Sequence, residues 1–256
     1  MTASTRQPNR MNHAYFVGDL GRIYAYRFYP VARMAPLTAI LQISVTGESI
    51  KMIVEGKSYT TTAHVTRPSW LEIHSGDVPV VSFMFYANTA MFRALRNMPN
   101  AFMSLPRDSF DPLTAALERA IEGNLTHQEA HDLFVDAVEA LTRFFPDAPP
   151  LDERVAKVLS MLEADCDIPI AQLAHAVSLS PDRLSHLVVR ATGFNLRRYR
   201  LALKIKRGMA LYRPGMSMGE LAKLSGFSDS AHLSRATREI LGASPNFFIQ
   251  YVQVHH

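Results

Sequence analysis

The hydrophobic positions of this chain change their period near residue 88. From Tyr15 to about Tyr86, short apolar runs rich in branched and aromatic residues alternate with turn residues, which is typical of β-strands. Residues 55–57, Glu-Gly-Lys, separate two such runs and indicate a hairpin turn. Several short strands joined by turns favour a small sandwich or barrel. From residue 88 onward the apolar residues recur at helical spacing, so helices follow the strands along the chain.

One helix is predicted over residues 126–145. Thr126 and Glu129 form a capping-box pattern at its start. Such a helix buries an apolar stripe in the core, and an exposed stripe would serve as a dimer surface. The stripe consists of Leu133, Phe134, Ala137, Val138 and Leu141. The prolines within residues 146–150 cannot continue a helix, so we place a stiff linker and a domain boundary there.

The last third of the chain carries one helical pattern twice. The sequence LAHAVSLS at residues 173–180 is echoed by LAKLSGFS at residues 221–228, an offset of 48. The sequence LSH at residues 184–186 is echoed by LSR at residues 233–235, an offset of 49. A short helix, a tight turn and a second helix form a helix-turn-helix unit. We place the two units at residues 168–193 and 216–242.

Charge is distributed unevenly between the two parts of the chain. Residues 1–150 hold 13 Lys and Arg against 14 Asp and Glu, whereas residues 151–256 hold 14 against 9. A basic segment that carries helix-turn-helix units is the electrostatic pattern expected of nucleic-acid binding.

Composition excludes several other classes of protein. The single cysteine, Cys166, excludes an internal disulfide or a cysteine zinc cluster. The sequence contains no run of 18 apolar residues and no apolar signal segment after Met1, so we expect a cytoplasmic protein with no membrane partner. It contains no glycine-rich phosphate loop, G-x-S-x-G elbow or H-E-x-x-H motif, so we do not expect an enzyme.

The second helix of each unit is the candidate recognition helix, because its N-terminal outer face can reach base edges in the major groove. Ser180 is the expected cap of the first such helix, and Ser228 or Asp229 of the second. The side chains expected to reach base edges are Asp182, Arg183, Ser185, His186, Ser230, Ala231, His232 and Arg235. Those expected to hold phosphates are Arg190, Arg197, Arg198, Lys204 and Arg238.

These motifs resemble those of the AraC family of transcriptional regulators. The resemblance covers residues 151–252 and is carried by GFSDSAHLSR at residues 226–235, followed by GASP at residues 242–245. It implies two recognition helices in successive major grooves on one face of DNA. It also implies an N-terminal domain that senses a ligand, dimerises, or does both. Ser178 stands where the family has a turn glycine, and Gly208 where alanine is common.

The spacing of the N-terminal strands and turns resembles that of a cupin-type β-barrel. Cupin enzymes hold a metal with a closely spaced histidine pair, whereas His64 and His74 are ten residues apart and no His-x-His occurs. We therefore expect neither a metal nor another cofactor. The candidates for a ligand pocket are Arg27, Arg33, Tyr59 and Trp70.

The combined expectation is an α+β protein with two domains. A flexible stretch over residues 1–12 precedes a cupin-like β-barrel with helices over residues 13–145, and an all-α double helix-turn-helix domain spans residues 151–256. The expected function is sequence-specific DNA binding that regulates transcription, as an activator by the family resemblance. Expected partners are double-stranded DNA, RNA polymerase, a small-molecule effector and a second copy of the chain. Two alternatives stay open: a regulator controlled by a protein partner, and a cupin-type enzyme with a DNA-binding appendage.

Overall fold

The computed structural model describes residues 11–30, 33–74, 76–213 and 215–255. Of the stretch expected to be flexible, residues 1–10 lie outside the described residues, and Asn12 already begins the first strand. The described N-terminal part contains ten short strands: β1 (Asn12–Val17), β2 (Gly21–Tyr26), β3 (Arg33–Met34), β4 (Ala39–Ser44), β5 (Ile50–Val54), β6 (Lys57–Thr61), β7 (Ala63–Thr66), β8 (Leu71–His74), β9 (Val80–Phe85) and β10 (Phe102–Ser104).

The strands form two sheets that share a core. The large sheet has the order β10-β7-β4-β9-β2-β1, and the small sheet has the order β3-β8-β5-β6. On β4, Leu41 packs in the core beneath the helices, whereas its neighbour Ile40 packs with residues of the small sheet such as Met52. This alternation follows because successive side chains of a strand point to opposite faces. The predicted hairpin between β5 and β6 is confirmed, with Glu55 and Gly56 both at positive φ.

Three α-helices cover the outer face of the large sheet. They are α1 (Ala90–Arg96), α2 (Thr114–Glu122), which follows a 3-10 helix (Arg107–Leu113), and α3 (His127–Thr142). The capping box of α3 is confirmed, because the Thr126 hydroxyl accepts from the Glu129 amide and the Glu129 carboxylate accepts from the Thr126 amide at 2.8 Å. The apolar stripe lies in the core: Leu133, Phe134, Ala137 and Leu141 are buried, and Val138 packs against them.

The C-terminal domain is helical, as expected. Its described residues form seven helices: α4 (Glu153–Ala164), α5 (Ile170–Ala176), α6 (Pro181–Thr192), α7 (Leu196–Leu211), α8 (Met218–Leu224), α9 (Ser230–Leu241) and α10 (Pro245–Tyr251). The chain then adds a strand that the sequence pattern did not predict. This strand, β11 (Val252–His255), pairs in parallel with β1 and forms an edge of the large sheet.

The two helix-turn-helix units differ in their cores. The first unit shares one apolar core with the N-terminal sheet and helices, and the rings of Phe92 on α1 and Phe194 before α7 meet at a centroid distance of 6.2 Å. The second unit has a separate core around Leu221, Phe227 and Leu233.

Candidate nucleic-acid interface and cavity

Both helix-turn-helix units have the same backbone geometry. In each, a short helix leads through a tight turn to a second helix, α5 to α6 and α8 to α9. The Leu179 amide donates to the Ala174 carbonyl at 2.9 Å, and the equivalent Phe227 amide donates to the Ala222 carbonyl at 2.8 Å. Both alanines are buried, as expected of the small residues that let two helices approach closely. The sequence repeat is therefore a structural repeat.

Each recognition helix has a polar cap at its start and a glycine at its end. The Ser180 hydroxyl accepts from the Arg183 amide, and the Asp229 carboxylate accepts from the His232 amide at 2.7 Å. Of the two caps expected for α9, the structure thus has Asp229. Gly193 and Gly242 follow the helices with φ of +83° and +74°, in the left-handed region that ends a helix.

On α6, the predicted base-reading side chains lie mainly in solvent. Asp182, Arg183 and His186 are exposed. Ser185 is half-buried, and its hydroxyl donates to the Pro181 carbonyl one turn earlier at 2.9 Å. Of the predicted base-reading residues, the first unit therefore exposes the guanidinium of Arg183, the carboxylate of Asp182 and the imidazole of His186.

On α9, the imidazole of His232 is held by the turn before it. Its Nδ1 lies 3.1 Å from the Ser228 hydroxyl, and its ring stands edge-on to Phe227 at a centroid distance of 5.1 Å. The backbone hydrogen bond from His232 lowers the pKa of the Asp229 carboxyl, with a smaller contribution from Ser228. The exposed members of the predicted set on this helix are Ser230, Ala231 and Arg235.

The predicted phosphate contacts fall into two groups. Those that are exposed are Arg190, Arg197 and Arg238. Lys204 and Arg198 are engaged inside the protein: Lys204 pairs with Asp167 at 2.9 Å, while Arg198 donates to the Ala35 carbonyl at 2.8 Å and pairs with Glu239 at 3.4 Å. Arg198 therefore faces the N-terminal domain in this arrangement.

A cavity lies between the inner face of the large sheet and the C-terminal domain. Its polar wall is built by Gln42, which donates to the Tyr26 hydroxyl at 2.9 Å and to the Ser82 hydroxyl at 2.7 Å. Burial raises the pKa of Tyr24 and Tyr26, so both phenols stay neutral. The other lining side chains include Arg22 and a set of apolar residues from both domains: Ile40, Ile73, Met84, Met209, Leu241 and Phe248.

None of the four residues proposed for a ligand pocket lines this cavity. The Arg33 guanidinium lies 4.7 Å from the centre of the Trp70 ring, which is 44% exposed. Tyr59 stacks on Phe102 at 3.9 Å. A sequence pattern did point to residues that line the cavity. Tyr24 and Tyr26 are two residues apart on one strand and so share a face, and Gln42 is a polar residue within an apolar run.

Within the described residues, no three His, Cys, Asp or Glu side chains come together in a way that could hold a metal ion. His64 is fully buried on β7, and burial lowers its pKa to about 3. The helices among the described residues are all too short or too polar to cross a membrane.

Comparison with known proteins matches the C-terminal domain directly. Residues 173–250 match the family model of a helix-turn-helix domain. The chain is 33% identical over 104 residues to the arabinose operon regulatory protein of Escherichia coli, which covers 39% of this chain and 36% of that protein. The chain thus spans about a third of the length of this relative.

Two solved structures of ToxT from Vibrio cholerae match nearly the whole chain. An apo variant has a TM-score of 0.60 at 13% identity, covering 94% of this chain and 96% of ToxT. The wild type bound to an unsaturated fatty acid has a TM-score of 0.58 at 11% identity, covering 96% and 98%. At these identities the likeness shows a shared fold.

Proposed function

We propose that the protein binds specific DNA sequences and regulates transcription as members of the AraC family do, because residues 173–250 match a helix-turn-helix domain model and the chain is 33% identical over 104 residues to the arabinose operon regulatory protein. The observation that carries the proposal is the structural repeat: two units of equal geometry, each with a capped recognition helix whose outer face is exposed. Each helix is suited to one major groove. Two such helices on one chain can occupy two successive grooves about one helical turn apart once both are free to reach the DNA.

The surface charge supports DNA as the partner. From residue 183 to the C-terminus the chain holds 12 Lys and Arg against 3 Asp and Glu. Exposed Arg183 and Arg235 lie on the two recognition helices, where a guanidinium can bind guanine through two hydrogen bonds. Arg190, Arg197 and Arg238 lie in solvent, where they can pair with phosphates.

The cavity supports a small-molecule effector. Its walls come from both domains, so a bound molecule would contact the sheet and the second helix-turn-helix unit together. Its mainly apolar lining with Gln42, Arg22 and two tyrosines suits a ligand with an apolar body and one polar or acidic group. ToxT, which shares the fold, has been solved with an unsaturated fatty acid bound. Because the open space is only about 30 Å³, an effector of this kind would enter as the sheet and the second unit move apart, and control by a protein partner stays open as the alternative.

Selection of bound sequences from random duplex DNA, with the full-length chain at fixed salt, tests the proposal. Two conserved blocks about ten base pairs apart are the expected result. A single block would mean that only one unit reads bases. No enrichment, with or without candidate effectors and also for residues 151–256 alone, would contradict DNA binding.

We further propose that the chain is a homodimeric cytoplasmic activator that works with RNA polymerase. In vitro transcription from a promoter that carries the selected site should rise on addition of the protein. Sedimentation of the chain on that site gives the number of copies bound. Repression in the transcription assay would reverse the proposed sign of regulation while leaving DNA binding intact.

A further inference from the structure

The C-terminal strand belongs to the N-terminal sheet. Val252 and His255 stand opposite Asn12 and Tyr15 in a parallel register. Residues about 240 positions apart in sequence thus share one ladder, and the entropy of bringing them together must be offset by contacts. β11 is therefore a dedicated contact between the two domains.

Both faces of β11 are engaged. On the inner face, Val252 packs with Ala14 and Tyr24 of the sheet. On the outer face, the His255 ring stacks on Tyr15 at a centroid distance of 4.4 Å, and its Nε2 lies 3.1 Å from Nδ1 of His13. The pairing therefore combines main-chain hydrogen bonds, apolar burial and ring contacts.

The position of β11 fixes the second helix-turn-helix unit. α10 ends at Tyr251 and β11 begins at Val252 with no loop between them, so the strand holds α10 against the sheet. The Tyr251 ring meets Phe28 edge-on at 5.3 Å, and the Phe247 ring meets Phe28 at 5.7 Å. Because α10 packs on the core of the second unit through Phe248, the recognition helix α9 is held with it.

The same docking engages Arg198, one of the predicted phosphate contacts, with groups of the N-terminal domain and of α9. The Ala35 amide donates to the Glu239 carbonyl of α9 at 2.8 Å, and the Ala35 carbonyl accepts from Arg198 at 2.8 Å. Arg198 also pairs with the Glu239 carboxylate at 3.4 Å. The Tyr29 hydroxyl donates to the Leu241 carbonyl at the end of α9. In this docked arrangement Arg198 is half-buried, and the Ala35 carbonyl and the Glu239 carboxylate compete with a phosphate for its guanidinium.

We propose that β11, here called the C-terminal latch (residues 252–255), holds the second helix-turn-helix unit in a docked state of reduced DNA affinity. DNA binding by that unit competes with the pairing of the latch and β1. Release of the latch frees α10, lets α9 move to the groove that its partner helix α6 does not occupy, and frees Arg198 from the Ala35 carbonyl. This inference rests on the proposed function, because DNA affinity is its readout.

Gln253 is the position at which a substitution can disrupt the latch without loss of a core side chain. Its side chain is exposed and it stands opposite His13, so its replacement removes no core contact. Gln253→Pro removes one backbone N–H of a four-residue strand and fixes its φ, which disfavours the extended pairing with β1. Gln253→Ala keeps that N–H and the strand conformation, and serves as the matched control. A chain that ends at Tyr251 removes the latch altogether. Because β1 also pairs with β2, loss of the latch accelerates exchange only at those amides of residues 13–15 that face β11, and these report the pairing in each variant.

The affinity measurement uses the duplex recovered by the selection experiment, labelled and titrated at fixed salt. We expect Gln253→Pro and the shortened chain to bind about tenfold more tightly than wild type, the effect of losing a few strand hydrogen bonds, with Gln253→Ala unchanged. Equal or weaker binding by both variants, once exchange shows that pairing is lost, overturns the inference. Loss of sequence-specific binding in every variant, including Gln253→Ala, counts against the proposed function itself and overturns the latch with it.

A second measurement uses the wild-type chain. If DNA and the latch compete, saturation with the selected duplex must raise exchange at the amides of residues 13–15 that face β11, because linkage is reciprocal. A control duplex of scrambled sequence should leave that exchange as it is. Tight binding of the selected duplex with undiminished protection of these amides overturns the competition.

Discussion

Ser178 and Gly226 hold equivalent positions in the two turns, yet only one of them is glycine. Ser178 has a φ of +54° and Gly226 a φ of +80°, both in the left-handed region. For a residue with a Cβ, this conformation costs about 1–2 kcal/mol. Glycine avoids that strain but lowers the free energy of unfolding by about 0.5–1 kcal/mol, because it gives the unfolded chain more conformational freedom. We expect Ser178→Gly to raise the free energy of unfolding by about 0.5–1 kcal/mol, measured by urea denaturation.

The reverse change at the second turn is the matched control. Gly226→Ser should lower stability, since a residue with a Cβ is strained at a φ of +80°. If Ser178→Gly destabilises the chain, the left-handed backbone at that turn is not a source of strain.

Arg235 is the residue that we expect to contribute most to base recognition. Its side chain is exposed on the N-terminal half of α9. Arg235→Ala should cost about 1–3 kcal/mol on the selected site and relax the preference at one base pair. Competition between selected and scrambled duplexes measures both effects.

Arg238, one turn further along α9 and also exposed, provides the contrast for a phosphate contact. Arg238→Ala should weaken binding to all duplexes alike and lower the salt dependence by about one phosphate. If Arg235→Ala behaves in the same way, Arg235 contacts phosphate and not a base.

His64 makes the N-terminal domain sensitive to acid. Burial lowers its pKa to about 3, so the folded protein keeps this imidazole neutral while the unfolded chain takes up a proton below about pH 6.5. The contribution of the neutral His64 to the free energy of unfolding is therefore fully present above about pH 6.5. It is lost as the pH falls toward 3, by up to about 1.4 kcal/mol per pH unit.

The variant His64→Leu cannot titrate. Its unfolding free energy, followed between pH 7 and pH 4, should fall less steeply than that of wild type. His13, whose pKa burial lowers to about 4, remains in both proteins and gives a common background. Parallel curves for the two proteins would show that His64 is not the acid-sensitive group.

At the scale of single residues, the local sequence was enough to predict the caps of the helices but not the residues that line the cavity. The caps at Thr126 and Ser180 depend on backbone groups within three residues, so the sequence contains all that is needed to predict them. The cavity wall joins Gln42, Tyr26 and Ser82 from three strands. No local pattern specifies which remote side chains will meet, so the sequence offered no ground for choosing the cavity residues over Arg27 or Trp70.

At the scale of elements, Gly208 explains how α7 and α8 approach each other. It lies buried inside α7, where alanine would be the better helix former by about 1 kcal/mol. A Cβ at this position would lie 2.6 Å from the Ser225 hydroxyl oxygen, which is itself bonded to the Leu221 carbonyl. Close contact between the helices therefore requires glycine here, and glycine in place of the alanine common in the AraC family, which the sequence resembles, has a packing reason.

We expect Gly208→Ala to destabilise the chain by about 1–2 kcal/mol in urea denaturation, because overpacking outweighs the gain in helix propensity. Gly219 in α8 is the control: a Cβ there would meet only the Ser217 hydroxyl at 4.0 Å. Gly219→Ala should therefore stabilise by about 0.5–1 kcal/mol. An increase in stability for both variants would show that α7 and α8 can adjust at Gly208.

The strand β11 shows why one element escaped prediction. It has four residues, Val-Gln-Val-His, which is too short for alternation to distinguish a strand from the tail of a helix. Its partner β1 lies at the other end of the chain. Pairing between distant segments is decided by tertiary packing, so periodicity located the hairpin strands β5 and β6 and the helix α3 but not this edge strand.

At the scale of the whole molecule, the cores do not follow the boundary suggested by the proline-rich linker. Helices α4 to α6 share an apolar core with the sheet and with α1 to α3, and the second unit has its own core. Phe92 lies where the shared core crosses between the domains, fully buried and against Phe194. Shared burial should make the first unit unfold together with the N-terminal domain.

Phe92→Ala tests this coupling. Loss of a buried phenylalanine costs about 3–5 kcal/mol. We expect amide exchange under low denaturant to accelerate in the large sheet and in α6 together, while α8 and α9 keep their protection, because the second unit does not draw on this core. Leu233→Ala, in the second core, should give the complementary pattern and loosen α8 and α9 first. If Phe92→Ala accelerates exchange in the sheet and leaves α6 unchanged, the first unit folds independently and the linker marks the true boundary.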